Sequence, residues 1–358
     1  MSKTNEDPKA AKDSSKAVPH MSLYRKYRPA DFSDVVGQEH VISVLQKSVA
    51  EGKIAHAYLF AGSRGTGKTS VARIFARALG TTQNDLYEID AASNTSVDDI
   101  RELTEAVGTV PLESKYKVYI LDEVHMLSKA AFNAFLKTLE EPPQHVIFIL
   151  ATTETEKLPD TIVSRCEVYD FKKPTADALK KHVLDVAKRE GMKLDEAGAN
   201  LVALLGDGSF RDTLSILQKV FSLGAETLEQ IEEVTGAPKS AIVSDYAKGI
   251  LSGDAELAYA ALRKMDEKNI EPKVFADLSL ARFRYVLALM VAKGEAEHLG
   301  GSISSEERAS LADAAKAAGA TPAKVAAVVR SVLSIYNSLG KTYIPSLPLE
   351  LVISEHSR

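Results

Sequence analysis

Two short segments of the chain bring together residue types suited to phosphate chemistry. Gly62-Ser63-Arg64-Gly65-Thr66-Gly67-Lys68-Thr69, continued by Ser70, fits the pattern G-x-x-x-x-G-K-[ST]. Glycines at 62, 65 and 67 let the backbone turn so that its N–H groups point inward, and a helix opening at Lys68 adds its positive end. Lys68 would then hold the β and γ oxygens of a nucleoside triphosphate. The Thr69 hydroxyl suits Mg²⁺, a hard ion that takes oxygen ligands and keeps several waters. The competing reading is a Gly-rich strand-to-helix turn with a chance lysine.

The second segment is Asp122-Glu123, which follows the apolar run Val118-Tyr119-Ile120-Leu121. Adjacent carboxylates at a strand's carboxyl end can divide the labour, with Asp122 toward Mg²⁺ and Glu123 toward the attacking water. A solvated acidic strand end is the alternative. The upstream phosphate loop favours the catalytic one.

These groups need elements to carry them. Short apolar runs at His56–Ala61, Leu86–Asp90, Val118–Asp122, Val146–Leu150 and Val168–Phe171 read as five strands. Between them, Val71, Ile74, Phe75, Ala78 and Leu79 recur at helical spacing. So do Phe132, Phe135, Leu136 and Leu139, before Pro142-Pro143 stops the turn. Runs with little period-two alternation, separated by helices, indicate a parallel sheet covered on both faces. The expectation is a three-layer α/β domain over 21–173, with the phosphate loop between a strand and a helix.

Residues 1–20 are rich in Lys, Asp, Ser and Pro and nearly free of large apolar side chains, so a flexible tail is expected there. After Lys172-Lys173-Pro174 the strand-like runs cease. Helical patterns fill 174–237, giving a small helical domain. Gly236-Ala237-Pro238 marks a boundary before a third, all-helical domain over 238–358. No internal repeat of fixed period stands out.

Composition narrows the function classes. With 44 Lys and Arg against 49 Asp and Glu, the net charge is -5, so any nucleic-acid contact must be local rather than a bulk attraction. The single cysteine, Cys166, excludes an intrachain disulfide and a cysteine-built zinc site, and its default reading is a buried, inert thiol. No apolar run approaches a membrane span or the core of a signal peptide. A cytoplasmic protein with no membrane partner is expected.

Several segments resemble one family in particular. Tyr24-Arg25-Lys26-Tyr27-Arg28-Pro29, Val35-Val36-Gly37-Gln38, His56-Ala57-Tyr58-Leu59-Phe60, Asp122-Glu123-Val124-His125-Met126-Leu127, Leu139-Glu140-Glu141-Pro142-Pro143, Ser164-Arg165-Cys166 and Gly208-Ser209-Phe210-Arg211-Asp212 closely resemble the bacterial clamp-loader gamma/tau subunit family of DNA polymerase III, over roughly 21–220. The resemblance implies an AAA+ phosphate-loop domain with a five-stranded parallel sheet, then a helical lid and a helical collar that closes a ring of subunits. It implies ATP and Mg²⁺ as cofactors, and an ATPase that loads a sliding clamp onto primed DNA during replication. Its partners would be delta, delta-prime, further gamma copies, the clamp, primed DNA and single-stranded-DNA-binding protein.

The same resemblance implies residue roles. Val35-Val36 would border adenine, Thr153 would sense the γ-phosphate, and Arg211 would reach from the lid to the nucleotide as a second sensor. Arg165 matches the arginine finger that acts in trans on a neighbour's ATP. A guanidinium cannot lose its proton and offers fixed forked donors, which suits charge developing on transferred phosphate. A local ion pair with a residue such as Asp160 is the alternative for Arg165. DNA phosphates would meet loops near Asn94-Thr95-Ser96, unless that segment merely caps the helix from Val97.

One departure stands out. The family usually carries a four-cysteine zinc module between the helix after the phosphate loop and the next strand, whereas only Gly80 to Asp85 separate Leu79 from Leu86 here. Zinc is not expected, and the length resembles the short gamma form. No polymerase active site is recognisable, so a polymerase label would refer to the holoenzyme served. Three rivals remain: another AAA+ motor such as a Holliday-junction helicase or an initiator, a non-hydrolysing delta-prime-like subunit, and a small-molecule phosphotransferase.

Overall fold

Each of the five apolar runs forms a strand: β1 Ala57–Ala61, β2 Leu86–Asp90, β3 Lys117–Asp122, β4 Val146–Thr152 and β5 Glu167–Asp170. The computed structural model describes residues 21–299, 303 and 305–357, and the tail expected at 1–20 lies outside them. The strands form one sheet in the order β2-β3-β4-β1-β5, with every neighbouring pair parallel. Central β1 and β4 are buried along their whole length, whereas edge strands β2 and β5 are partly exposed. That is why the central strands read as unbroken apolar runs, while β2 alternates as Leu-Tyr-Glu-Ile-Asp.

Helices cover both faces. α1 Leu23–Lys26 and α2 Glu39–Glu51 precede β1, α3 Lys68–Ala78 follows it, and α4 Val97–Val107, α5 Lys129–Glu140 and α6 Asp160–Val163 connect the later strands. One face packs Val41 and Leu45 of α2 and Val71 and Phe75 of α3 onto Tyr58, Phe60, Ile120 and Ile149. The other packs Ile100, Leu103, Phe132, Phe135 and Leu139 onto Leu59, Leu121, Phe148 and Leu150. The domain is therefore a three-layer sandwich. Phe135 meets Phe148 edge-on at 5.0 Å between centroids, a favourable aromatic arrangement.

The rest is helical: α7 Ala176–Arg189, α8 Glu196–Leu205, α9 Phe210–Ser222, α10 Leu228–Thr235, α11 Ser240–Ser252, α12 Ala255–Glu267, α13 Pro272–Val291, α14 Lys293–Leu299, α15 Ser305–Ala317, α16 Pro322–Ile335 and α17 Leu347–His356. Most of their buried apolar side chains join in one cluster that runs from Val183 to Ile353 and also takes in Leu23. A buried ion pair reinforces it. Arg282 of α13 bonds Glu307 of α15 at 2.6 Å and donates to Ser240 and Ser244 of α11. Across the 237 boundary, the Ser240 amide donates to Glu232 of α10 at 2.8 Å. Among the described residues no helix is long and apolar enough to cross a membrane.

The short connection between α3 and β2 ends in a 3-10 turn, Gln83–Asp85. The Asp85 carboxylate is fully buried and accepts the backbone amides of Leu112, Glu113 and Ser114 at 2.6, 2.9 and 2.8 Å. Burial by itself raises such a carboxyl, but these amides and the Ser114 hydroxyl outweigh it and hold the group at about 2. An unfolded aspartate titrates near ~3.9. The folded value lies below the unfolded one, so Asp85 stabilises the fold above about pH 4, and this contribution fades as the pH falls through about 2. Asp85→Asn is therefore expected to lower the urea midpoint at pH 7, with the gap to the parent protein narrowing between about pH 4 and pH 2. A gap independent of pH would exclude an ionised Asp85.

Candidate nucleotide-binding site

The carboxyl edge of the sheet gathers the groups picked out by chemistry. The phosphate loop leaves β1, Asp122 ends β3 and Thr152 ends β4, and Ala61 pairs with Thr152 in register. Open α/β sheets bind ligands at this edge. The cleft there has about 980 Å³ of empty volume, open solvent included, and is lined by Val35, Val36, Arg64 to Ser70, Asp122, Glu123 and Arg211.

Backbone geometry explains the glycines. Gly62 has φ 144, and a Cβ on it would stand 2.3 Å from the Phe171 carbonyl oxygen. Gly65 has φ 75, and a Cβ there would stand 1.9 Å from Ser209 Oγ, at the start of α9. The Phe210 amide also donates to the Gly65 carbonyl at 3.0 Å, so α9 rests directly on the phosphate loop. Gly67, at φ 101, caps α3 and lets Lys68 open the helix.

Lys68 is 5% exposed, and its Nζ donates to the Gly62 and Ser63 carbonyls at 2.7 and 3.0 Å. Desolvation lowers its pKa, while Glu123 and Asp122 oppose that shift. Gly62 and Ser63 thus meet Lys68 through their carbonyls and do not themselves line the cleft. The Ser63 hydroxyl is buried without a hydrogen-bond partner among the described residues.

Thr69 Oγ1 donates to Asp122 Oδ2 at 2.7 Å, so the hydroxyl and carboxylate expected to share Mg²⁺ already stand within reach of one ion. Glu123 adopts a left-handed backbone, φ 50 and ψ 43, which is unusual for a non-glycine residue. Its amide donates to Asp122 Oδ1 at 3.0 Å, and its Oε2 accepts the Thr153 hydroxyl at 3.0 Å. The structure therefore joins Thr153 to the carboxylate rather than to the cleft wall.

Arg211 lies exposed on α9, with its guanidinium 5.3 Å from the Tyr24 ring centroid. Arg165 lies outside the cleft. It pairs with Glu140 at the end of α5 and donates to the Thr161 carbonyl at 2.7 Å, so its local partner is Glu140 and not Asp160. Cys166 is pushed up to about 12 by burial, which keeps it a thiol. Ser96 caps α4 by accepting the Asp99 amide at 3.1 Å, the capping role open to the Asn94-Thr95-Ser96 segment.

Sequence reasoning assigned no role to several residues that shape the cleft. Gln38 is fully buried and bonds the Lys172 carbonyl at 2.8 Å and the Lys172 amide at 3.1 Å, tying the Val35-Val36 segment to the end of the sheet. Tyr24, Tyr27, Arg28 and Pro29 line the cleft together with His182, Phe210 and Leu214. The dense aromatic and cationic run Tyr24–Pro29, placed ahead of the first strand, was the available signal.

Comparison with known proteins places this geometry. A family model described as DNA polymerase III, delta subunit, matches residues 37–90 and 81–175. The chain is 40% identical over 299 residues to DNA polymerase III subunit tau of Bacillus subtilis, covering 77% of this chain and 53% of the relative. It is 44% identical over 223 residues to subunit tau of Escherichia coli, covering 56% and 35%. For subunit gamma of Buchnera aphidicola the figures are 40% over 223 residues, covering 56% and 60%. The chain spans about half the length of the first of these relatives. Among solved structures, the Thermotoga maritima RuvB Holliday junction branch migration motor superposes with a TM-score of 0.50 at 21% identity, covering 63% of this chain and 79% of that one, a likeness of fold alone. With an AAA+ domain followed by a helical carboxyl-terminal region, the chain belongs to the DNA polymerase III gamma/tau subunit family.

Proposed function

We propose that the chain is an ATP-hydrolysing subunit of a clamp loader, one that works in a ring with delta, delta-prime and further copies of its own kind to place a sliding clamp on primed DNA. The observation that carries this reading is the convergence of Lys68, Thr69, Asp122 and Glu123 on one cleft beside the phosphate loop. A non-hydrolysing scaffold has no need of all four.

The residues divide the work. Amides of 64–68 and the Lys68 ammonium cradle the β and γ phosphates, while Val35 and Val36 border the base. Thr69 and Asp122 hold Mg²⁺, which supplies charge neutralisation at the phosphates. Glu123 orients the attacking water and accepts its proton. Thr153 and Arg211 report the γ-phosphate to the lid, and Arg165 completes the neighbouring subunit's site. In this proposal 21–173 binds nucleotide, 174–237 is the lid and 238–358 the collar. A ligand shifts a conformational equilibrium only by its differential affinity for the two states, so ATP binding favours the clamp-opening arrangement and hydrolysis releases it.

The deciding measurement is steady-state ATP hydrolysis by the assembled complex, alone, with clamp, with primed DNA and with both. Stimulation greatest with clamp and DNA together supports the loader. Turnover that responds to DNA but ignores the clamp would instead favour a branch-migration type of motor.

A further inference from the structure

His125 lies three residues beyond Asp122 in the 3-10 turn Val124–Met126, and its side chain is 6% exposed. Its Nε2 stands 3.3 Å from Glu154 Oε1, and its Nδ1 stands 3.1 Å from Thr152 Oγ1 and 3.5 Å from Glu123 Oε2. A buried imidazole thus lies between the carboxylate beside the phosphate loop and a second carboxylate on the far side. Glu154 is itself anchored, by Lys157 at 2.7 Å and through its amide to Thr152 Oγ1 at 3.0 Å.

We propose that His125 is a positioning residue for Glu123: the ring, oriented by Glu154, backs the Glu123 carboxylate and confines it to the rotamer that Thr153 also grips. This rests on Glu123 being the group that orients the attacking water.

The chemistry of the contacts fixes how the ring works. A carboxylate only accepts, so the nitrogen facing Glu154 carries a hydrogen. In the neutral ring Nδ1 is then an acceptor, and the Thr152 hydroxyl, which already accepts the Glu154 amide, has one hydrogen to give it. Lys157, Glu154, His125 and Thr152 thus form one connected chain of polar contacts, which sets the ring plane without a contribution from Glu123. The Nδ1 lone pair then faces Glu123 Oε2 and bars the carboxylate from turning toward the ring, while the Thr153 hydroxyl holds the same oxygen by donating to it. Two neighbours on one oxygen leave the carboxylate little rotational freedom. The other oxygen is left for the water.

The arrangement also connects the site to the segment that carries Arg165. Glu154 opens the turn Thr155–Lys157, which runs through Pro159 into α6 and on to Arg165. The ring therefore ties Glu123 to the stretch of chain that would face a neighbouring subunit.

The test uses the full chain in the complex that gives wild-type ATP turnover, and reads kcat, KM and nucleotide affinity. His125→Ala is expected to lower kcat on the order of tenfold with KM and affinity within about twofold, because a carboxylate that loses its direction is misplaced in the transition state and not in the ground-state complex. His125→Asn, whose amide reaches the Nδ1 position, is expected to recover most of the loss. Glu154→Gln should give a smaller fall of the same kind, and the double variant His125→Ala/Glu154→Gln should be no slower than His125→Ala alone. An unchanged kcat in His125→Ala, a parallel loss of affinity, or independent multiplication of the two effects would overturn the proposal. Lys68→Ala retaining wild-type turnover would instead overturn the reading of the site itself, and this inference with it.

Discussion

Arg165→Ala is expected to leave the affinity of the isolated chain for ATP unchanged and to cut turnover of the assembled ring by ~10³ to 10⁵, the range typical of a finger that stabilises transferred phosphate. The structure explains the first half. The guanidinium lies away from its own chain's cleft, between Glu140 and the Thr161 carbonyl, so its removal takes nothing from the cis nucleotide. An exposed ion pair of this kind contributes about 0 to 1 kcal/mol, so the fold should survive. Titrating a fluorescent ATP analogue onto the isolated variant and assaying turnover in the complex checks the two halves separately. Loss of affinity in the isolated variant would mean that Arg165 acts on its own subunit's site.

Lys68→Ala is expected to reduce turnover by at least ~10² and to weaken ATP binding together with it. The ammonium is buried and already bonded to two loop carbonyls, so it is preorganised where phosphate oxygens would arrive. Its removal also leaves the Gly62 and Ser63 carbonyls short of a donor, so the loop itself loosens. Binding by calorimetry and turnover by phosphate release should fall in step, while far-UV circular dichroism stays that of the parent. Retained binding at parental strength would place the nucleotide somewhere other than this cleft.

The parts legible in the sequence were those set by local periodicity. β1, β3 and β4 are covered on both faces, so their apolar runs have no gaps, and Gly62 to Thr69 carries its own strand-to-helix context. What escaped depends on contacts between distant segments. Gln38 meets Lys172 across 134 positions, Ser209 closes on Gly65 from the start of α9, and Tyr24 stacks under Arg211. No periodicity encodes such meetings. Arg165 shows the same limit: Asp160 is nearer in the chain, yet the carboxylate that reaches it is Glu140, delivered by the end of α5. His125 went unassigned because a lone histidine after two acids carries no pattern, and its meaning lies in where Glu154 and Thr152 fall in space.

The apolar cluster that passes unbroken from Val183 to Ile353 has a mechanical consequence. With Glu232 bonded across position 237 and Arg282 joining three helices behind it, α9 is linked through buried contacts to the helices beyond that position. A small rotation begun where Ser209 touches the phosphate loop would then be carried outward as the swing of a lever, with an amplitude that grows with distance from that fulcrum.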